Sequence, residues 1–262
     1  MIDRRQARWD EMKRIAMGTA ALGLLVVAGP LGCSSDDKLV TPVEHKSPWS
    51  SERTWALGPL ANESGVSTLD PRALSDDFVA EIEAAEGIRC LPLNRSIAAL
   101  RSMGLNEIRT DAEARSLMRL LQVDGLVVAS ITAFDPYQPL TLGVAAQLYT
   151  TEQAGPTATD VSELTMAVTE RDGRDRSKLG PSSQASRIYS ANNHDVLQRV
   201  EAYAAGRYNP KSGLRKQVYT SSMSSYSRFV AFEVVGELLS SERTIRAEQA
   251  EVADAATASD PR

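Results

Sequence analysis

The chain reads as an α/β domain. One mixed β-sheet is packed by helices, with a β-α-β-α-α-β-β core followed by two C-terminal helices. Three observations carry this reading. Gly125 to Phe134 is apolar at nearly every position, the pattern of a strand covered on both faces. Leu140, Leu142, Val144, Ala146 and Leu148 alternate with Thr141, Gly143, Ala145, Gln147 and Tyr149, the period of a strand with one covered face. Between the two runs, Asp135-Pro136-Tyr137-Gln138-Pro139 is a loop, so the strands form a hairpin. Upstream, strand-like runs alternate with helical ones. That implies crossover connections and parallel pairing, which the hairpin turns into a mixed sheet.

The elements follow in order. Thr54 to Leu60 is a first strand, limited or placed at an edge by Pro59, and Asn62 to Gly65 is a loop. Asp70-Pro71 starts a helix, a capping carboxylate before a proline at the first helical position. Leu74, Phe78 and Ile82, with Val79 beside them, form its apolar stripe, and Gly87 stops it. Ile88 to Leu93 is the second strand, in which Cys90 is expected to be a small core residue rather than a nucleophile. Asn94 is expected to cap a helix carrying Ile97, Leu100 and Met103. Thr110-Asp111-Ala112-Glu113 is a capping box before Ala114, Leu117, Met118 and Leu121.

After the hairpin, residues 151–186 read as a polar insertion. Val161 to Val168 within it fits a strand or a helical turn, and Arg171 to Arg176 is a charged loop. Asn192 or Asn193 caps a helix with Val196, Leu197, Val200, Tyr203 and Ala204 on one face. Ser224 or Ser225 opens the last helix, which buries Phe229, Phe232, Val235 and Leu239. The domain is therefore expected over residues 54–241, with 242–262 a largely disordered tail.

The amino-terminal segment, residues 1–32, is a targeting sequence rather than part of the fold. A basic stretch ends at Lys13-Arg14, Ile15 to Leu31 is uncharged and mostly apolar, and Gly32-Cys33 follows. This resembles a bacterial lipoprotein signal peptide, whose cysteine becomes the lipidated first residue. Gly32 fits that pattern; Pro30 and Leu31 stand where the family prefers leucine and a small residue. An uncleaved anchor and an ordinary secretory signal are the alternatives, although the apolar run is short of the ~20 residues of a span. Trp9, Asp10 and Glu11 are foreign to such a segment, so Met12 is the expected start. Ser34 rather than aspartate follows Cys33, which resembles an outer-membrane address in enteric-type sorting; inner-membrane anchoring is the alternative. Residues 33–53, with Pro42 and Pro48, are expected to be a flexible tether with Trp49 exposed on it.

The net charge of −5 argues against a nucleic-acid binder. Two cysteines and two histidines leave little for disulfide, zinc or triad chemistry. No Gly-rich phosphate loop follows a strand, and His194 and Asp195, adjacent on a helix, do not face each other. Asp76, Asp77, Glu81 and Glu83 read as the wet side of a helix. No catalytic residue, metal or cofactor is expected. One asymmetry remains. Between Arg187 and Arg228 there are seven basic residues and two acidic ones, interleaved with tyrosines. Tyr and Arg are favoured at binding hot spots. Tyr208, Lys211, Arg215, Lys216, Tyr219 and Tyr226 are therefore a candidate surface for an acidic protein or an anionic envelope polymer. The competing reading is that the tyrosines pack this loop onto the sheet and the charges are simply solvated.

Leu57-Gly58-Pro59-Leu60-Ala61-Asn62-Glu63-Ser64-Gly65 resembles the opening strand and Asn-x-Ser-Gly loop of the curli-assembly lipoprotein superfamily. Asp124-Gly125 and the run Val127 to Pro136 resemble its hairpin; Ser130, Ile131, Thr132, Asp135 and Pro136 fit, and Ala129 stands where glycine is common. The same fold is shared by the amino-terminal domain of TolB and by lipoprotein activators of penicillin-binding proteins. The resemblance covers about residues 54–150. It implies a non-catalytic envelope protein, held to a membrane by a lipid anchor, that binds a protein partner or self-associates in assembly or secretion. The pore-forming members need extra amphipathic strands, and no such pair is evident, so a secretion pore is disfavoured. An enzyme acting on envelope polymers is the least favoured class.

Overall fold

The computed structural model describes residues 40–151, 180–209 and 211–258. Residues 1–39, Cys33 among them, most of the insertion, Pro210 and the last residues of the tail lie outside them. The elements are β1 (Arg53–Leu57), β2 (Ala61–Asn62), α1 (Pro71–Glu83), β3 (Ile88–Cys90), α2 (Leu93–Ser102) and α3 (Asp111–Leu121). Then come β4 (Gly125–Asp135), β5 (Thr141–Thr150), β6 (Ser183–Ser190), α4 (His194–Ala204), α5 (Val218–Ser221) and α6 (Met223–Ala258). The sheet is mixed, in the order β3-β1-β4-β5-β6, with β2 beside β4. β1 is parallel to β3 and to β4, and β4-β5 and β5-β6 are antiparallel.

The hairpin has the expected faces. Leu140, Leu142, Val144, Ala146 and Leu148 enter one core together with Val127, Ala129 and Ile131 of β4. α1, α4 and α6 cover that core with Phe78, Ile82, Val200, Tyr203, Phe229 and Val235. On the opposite face, α2 and α3 supply Leu100, Ala114, Leu117 and Met118 against Ala56, Leu126 and Tyr149. The local start signals also operate. Asp70 accepts from the N–H groups of Arg72 and Ala73, Thr110 and Glu113 cap each other's backbone, and Asn193 caps α4 through the Asp195 N–H.

Four expectations are corrected. Ser183 to Ser186, assigned to the insertion, belongs to β6, whose core-facing residues Ala185 and Tyr189 sit among outward Gln184, Ser186 and Ile188. α2 begins at Leu93 after Pro92 with no side-chain cap, so Asn94 lies inside the first turn. α6 continues through Ala258 rather than ending at 241. Past Gly236 it holds no Gly or Pro and is rich in Ala and Glu, so helix propensity outlasts the apolar stripe. Trp49 is 8% exposed and packs in the first core, edge-to-face with Trp55 at 5.8 Å.

The parallel pairing of β1 with β4 depends on a missing side chain. A Cβ on Gly125 would come within 2.6 Å of Nε1 of the fully buried Trp55. Gly125→Ala is expected to lower unfolding stability by ~1–3 kcal/mol, the usual cost of overpacking a core, read from urea denaturation.

Candidate functional site

The segment Val40 to Ser50 is laid across the domain as a strap. Gly206 ends α4 with φ of 78°, and the Val40 carbonyl and Pro42 occupy the space a side chain there would need. Arg207 lies over the rings of Tyr203 (4.3 Å) and Phe232 (5.1 Å) and donates to the carbonyls of Tyr203 and Val43. His45 stacks on Phe232 with ring centroids 3.9 Å apart. Its Nε2 is 2.9 Å from the Phe232 carbonyl, and because a carbonyl only accepts, Nε2 carries the proton. The Glu86 N–H donates to the His45 carbonyl and the Ser47 N–H to the Glu86 carbonyl, pinning the strap to the α1–β3 corner. Arg243 donates to the Lys46 carbonyl, and Arg246 lies over Trp49. The flexible tether expected over 33–53 is thus docked from Val40 onward. An aromatic and a histidine four residues apart, at 45 and 49, were the available signal.

The basic loop lies where the strap begins. Lys211, Arg215 and Lys216 are exposed, and Tyr208 is half-buried. Lys216 pairs with Glu201 in the last turn of α4 and holds that carboxyl below its usual range. Leu214 is 51% exposed. Tyr219 is half-buried, edge-to-face with Tyr203 at 5.4 Å. Tyr226 is fully buried beside Phe229. It is removed from the candidate surface because it sits on the sheet-facing side of α6. The surface that remains is the charged loop with Tyr208.

The acidic face of α1 is also not what the sequence predicts. Glu81 is 5% exposed, accepts from the Tyr203 hydroxyl at 2.7 Å and lies 3.5 Å from Nε of Arg228. Burial pushes its carboxyl above the usual range, against the pull of Tyr203 and Arg228. Asp77, raised likewise by burial, accepts from Ser227. These carboxylates tie α1 to α4 and α6. Cys90 is buried, and burial with Glu83 nearby pushes its thiol up to about 12, so it holds no reactive thiolate. His194 is exposed in the first turn of α4 and meets Gln198. Among the described residues no group of His, Cys, Asp and Glu is placed to hold a metal ion, and no described helix is long and apolar enough to cross a membrane.

A surface that sequence reading missed lies on the second face of the sheet. The α2–α3 cluster takes Tyr149 from β5 and no residue from β6. Along the rest of those strands, Gly143 pairs with Ile188, Ala145 with Ser186 and Gln147 with Gln184. Ile188 is 62% exposed, and Gln184 and Ser186 are exposed beside it. The β5 and β6 residues of this face are uncharged; Ser130 of β4, beside Ala145, donates to the Glu63 carboxylate, and Arg115 lies over Tyr149 at the other end. The face's signal was faint, because Ser183 to Ser190 alternates with few large apolar residues.

Comparison with known proteins gives likenesses of fold. No protein-family model matches the chain, and no curated protein matches it. Similar solved structures include lipoprotein GNA1162 from Neisseria meningitidis (16% identity, 57% of this chain and 94% of that one, TM-score 0.36). The PelC dodecamer from Paraburkholderia phytofirmans is another (11%, 76% and 96%, TM-score 0.37). A third is the LpoB C-terminal domain from Salmonella enterica (11%, 40% and 76%, TM-score 0.33).

Two outcomes follow from the strap. Burial depresses the His45 pKa below 6.5, opposed by the Phe232 carbonyl and assisted by Arg207 and Arg243. A group depressed in the fold contributes stability that is present above its unfolded value and lost as pH falls through the folded one. Tm is therefore expected to fall more steeply below about pH 6.5 in the native protein than in His45→Gln. The raised carboxyls of Asp77, Glu81 and Glu233 act in the opposite sense and are common to both proteins, so the difference between the two melting curves isolates the histidine. Gly236→Ala would drive a Cβ into the His45 ring while favouring the helix. Trypsin cleavage after Lys46 is expected to accelerate about tenfold, with the far-ultraviolet spectrum of the domain unchanged.

Proposed function

We propose that this protein is a non-catalytic lipoprotein of the bacterial cell envelope. Lipid on Cys33 holds it to a membrane, on the periplasmic side of the outer membrane. Its α/β domain binds another envelope protein, in assembly or secretion, through the open β5–β6 face. The observation that carries the binding reading is that face. Ile188 stands 62% exposed among Gly143, Ala145, Gln184 and Ser186. Ala145 and Ser186 lose little side-chain entropy when covered, and Ile188 is favoured by leaving water. Among the described residues β6 also ends the sheet, so its outer edge offers backbone groups for strand addition. The tether reading rests on the apolar run that closes at Gly32-Cys33 and on Ser34 after it.

One observation favours a second reading, self-association. Exposed Ile188 and, among the described residues, the edge of β6 offer a second copy the same apolar and backbone contacts across a two-fold axis.

Crosslinking in cells followed by pull-down tests the proposal. Ile188→Glu combined with Ala145→Arg is expected to remove the captured partner while leaving Tm and the circular dichroism spectrum of the purified protein unchanged. An unchanged set of captured proteins would sink the assignment of the face. Solution mass separates the readings, because self-association gives a closed oligomer that the double variant returns to a monomer. Cys33→Ser is expected to release the protein from the membrane fraction.

A further inference from the structure

We infer that the rim carrying Lys211, Leu214, Arg215 and Lys216 lies against the anionic phospholipid surface in which the chain is anchored. The inference rests on the proposed anchor at Cys33 and concerns how the domain is then held.

Chain length decides the matter. The strap fixes Val40 against Gly206, so seven peptide steps separate Val40 from Cys33. Fully extended they span at most ~25 Å. A tether free to Arg53 would have reached ~70 Å. The part of the domain around Gly206 is therefore held closest to the lipid surface.

The basic rim is at that place. Gly206 and Lys211 are five peptide steps apart, and the far end of the loop is folded back on α4 by the ion pair of Lys216 with Glu201. Between Ala202 and Phe232 the chain holds Arg207, Lys211, Arg215, Lys216 and Arg228, and no acidic residue. Asp36 and Asp37, with Lys38, lie in the tether itself, Glu44 follows it, and Glu201 is paired with Lys216. Val40 (55% exposed), Val43 and Leu214 add apolar contact. The rest of the domain is acidic on balance, so an anionic surface attracts this end and repels the others. Attraction between exposed charges fades within a Debye length of ~8 Å. It operates here because the anchor keeps the rim near the surface at high effective concentration. An acidic soluble protein has no such advantage. Lipid plus a basic patch is the two-signal arrangement that makes anchoring stable.

The test bypasses the cell's own lipidation. The chain from Cys33 onward is coupled through that thiol to a maleimide phospholipid in vesicles; Cys90 is buried and does not compete. Acetylation rates are then read by mass spectrometry at Lys211, Lys216 and Lys46. On vesicles containing phosphatidylglycerol, Lys211 and Lys216 are expected to react about fivefold more slowly than on pure phosphatidylcholine. High salt or Arg215→Glu should reduce the difference, and Lys46 should change little. Equal rates on the two vesicles would overturn the inference. So would protection by free polyglutamate but not by vesicles, which assigns the rim to an acidic polymer. Failure of the anchor itself is read separately, as the absence of acyl mass on Cys33 in protein taken from cells.

Discussion

Between Tyr226 and Leu239, one side of α6 carries Tyr226, Phe229, Val230, Val234, Val235, Leu238 and Leu239, all essentially withdrawn from solvent. Each large apolar side chain so buried is worth ~1.5–3 kcal/mol. That stripe closes the first core over the hairpin. The rest of the helix serves as an attachment surface. Asp77 on α1 meets it at Ser227, Arg199 on α4 at Glu233, and Arg187 on β6 at Glu237. His45 lies in the space left by Gly236 and over Phe232. Loss of α6 packing would expose the hairpin and release the strap together.

Perturbed ionisable groups often mark an active site, and structural networks perturb them as well. Here each shifted carboxyl on α1 and α6 has a structural partner. Glu81 has Tyr203 and Arg228, Asp77 has Ser227, and Glu233 has Arg199. The groups are distributed along helix contacts and do not converge on one cavity. The two exposed features, the β5–β6 face with Ile188 and the basic rim, are surfaces suited to contact. This contrast underlies the proposed binding role.

The sequence made much of the scaffold legible, because the relevant signals are local. The alternation from Leu140 to Leu148 and the capping chemistry at Asp70, Thr110 and Asn193 act within a few residues. Long-range pairings were not legible. Trp49 and His45 sit in a polar, proline-bearing segment, and only their distant partners on α6, Arg246 and Phe232, reveal them as packed. Glu81 looks like a surface residue until Tyr203 and Arg228 are placed over it. Tyr226 shares its tyrosine-and-arginine neighbourhood with the loop but turns inward with the helix. β6 hid because Ala185 and Tyr189 are its main apolar residues facing the core. For the candidate site, the loop charges were readable, and their position beside the start of the strap was not.

The strap also determines how a mechanical load would enter the domain. A pull on the amino terminus meets the contacts of Val43, His45 and Lys46 with Arg207, Phe232 and Arg243 in succession. These yield one at a time, as in peeling. Only afterwards does tension reach β1, which is hydrogen-bonded in parallel to both β3 and β4 and resists in shear across both ladders together. The weak series lies outside the strong one. Stretching would therefore pay out the strap's residues before it threatened the sheet, so the strap acts as a mechanical fuse between the amino terminus and the fold.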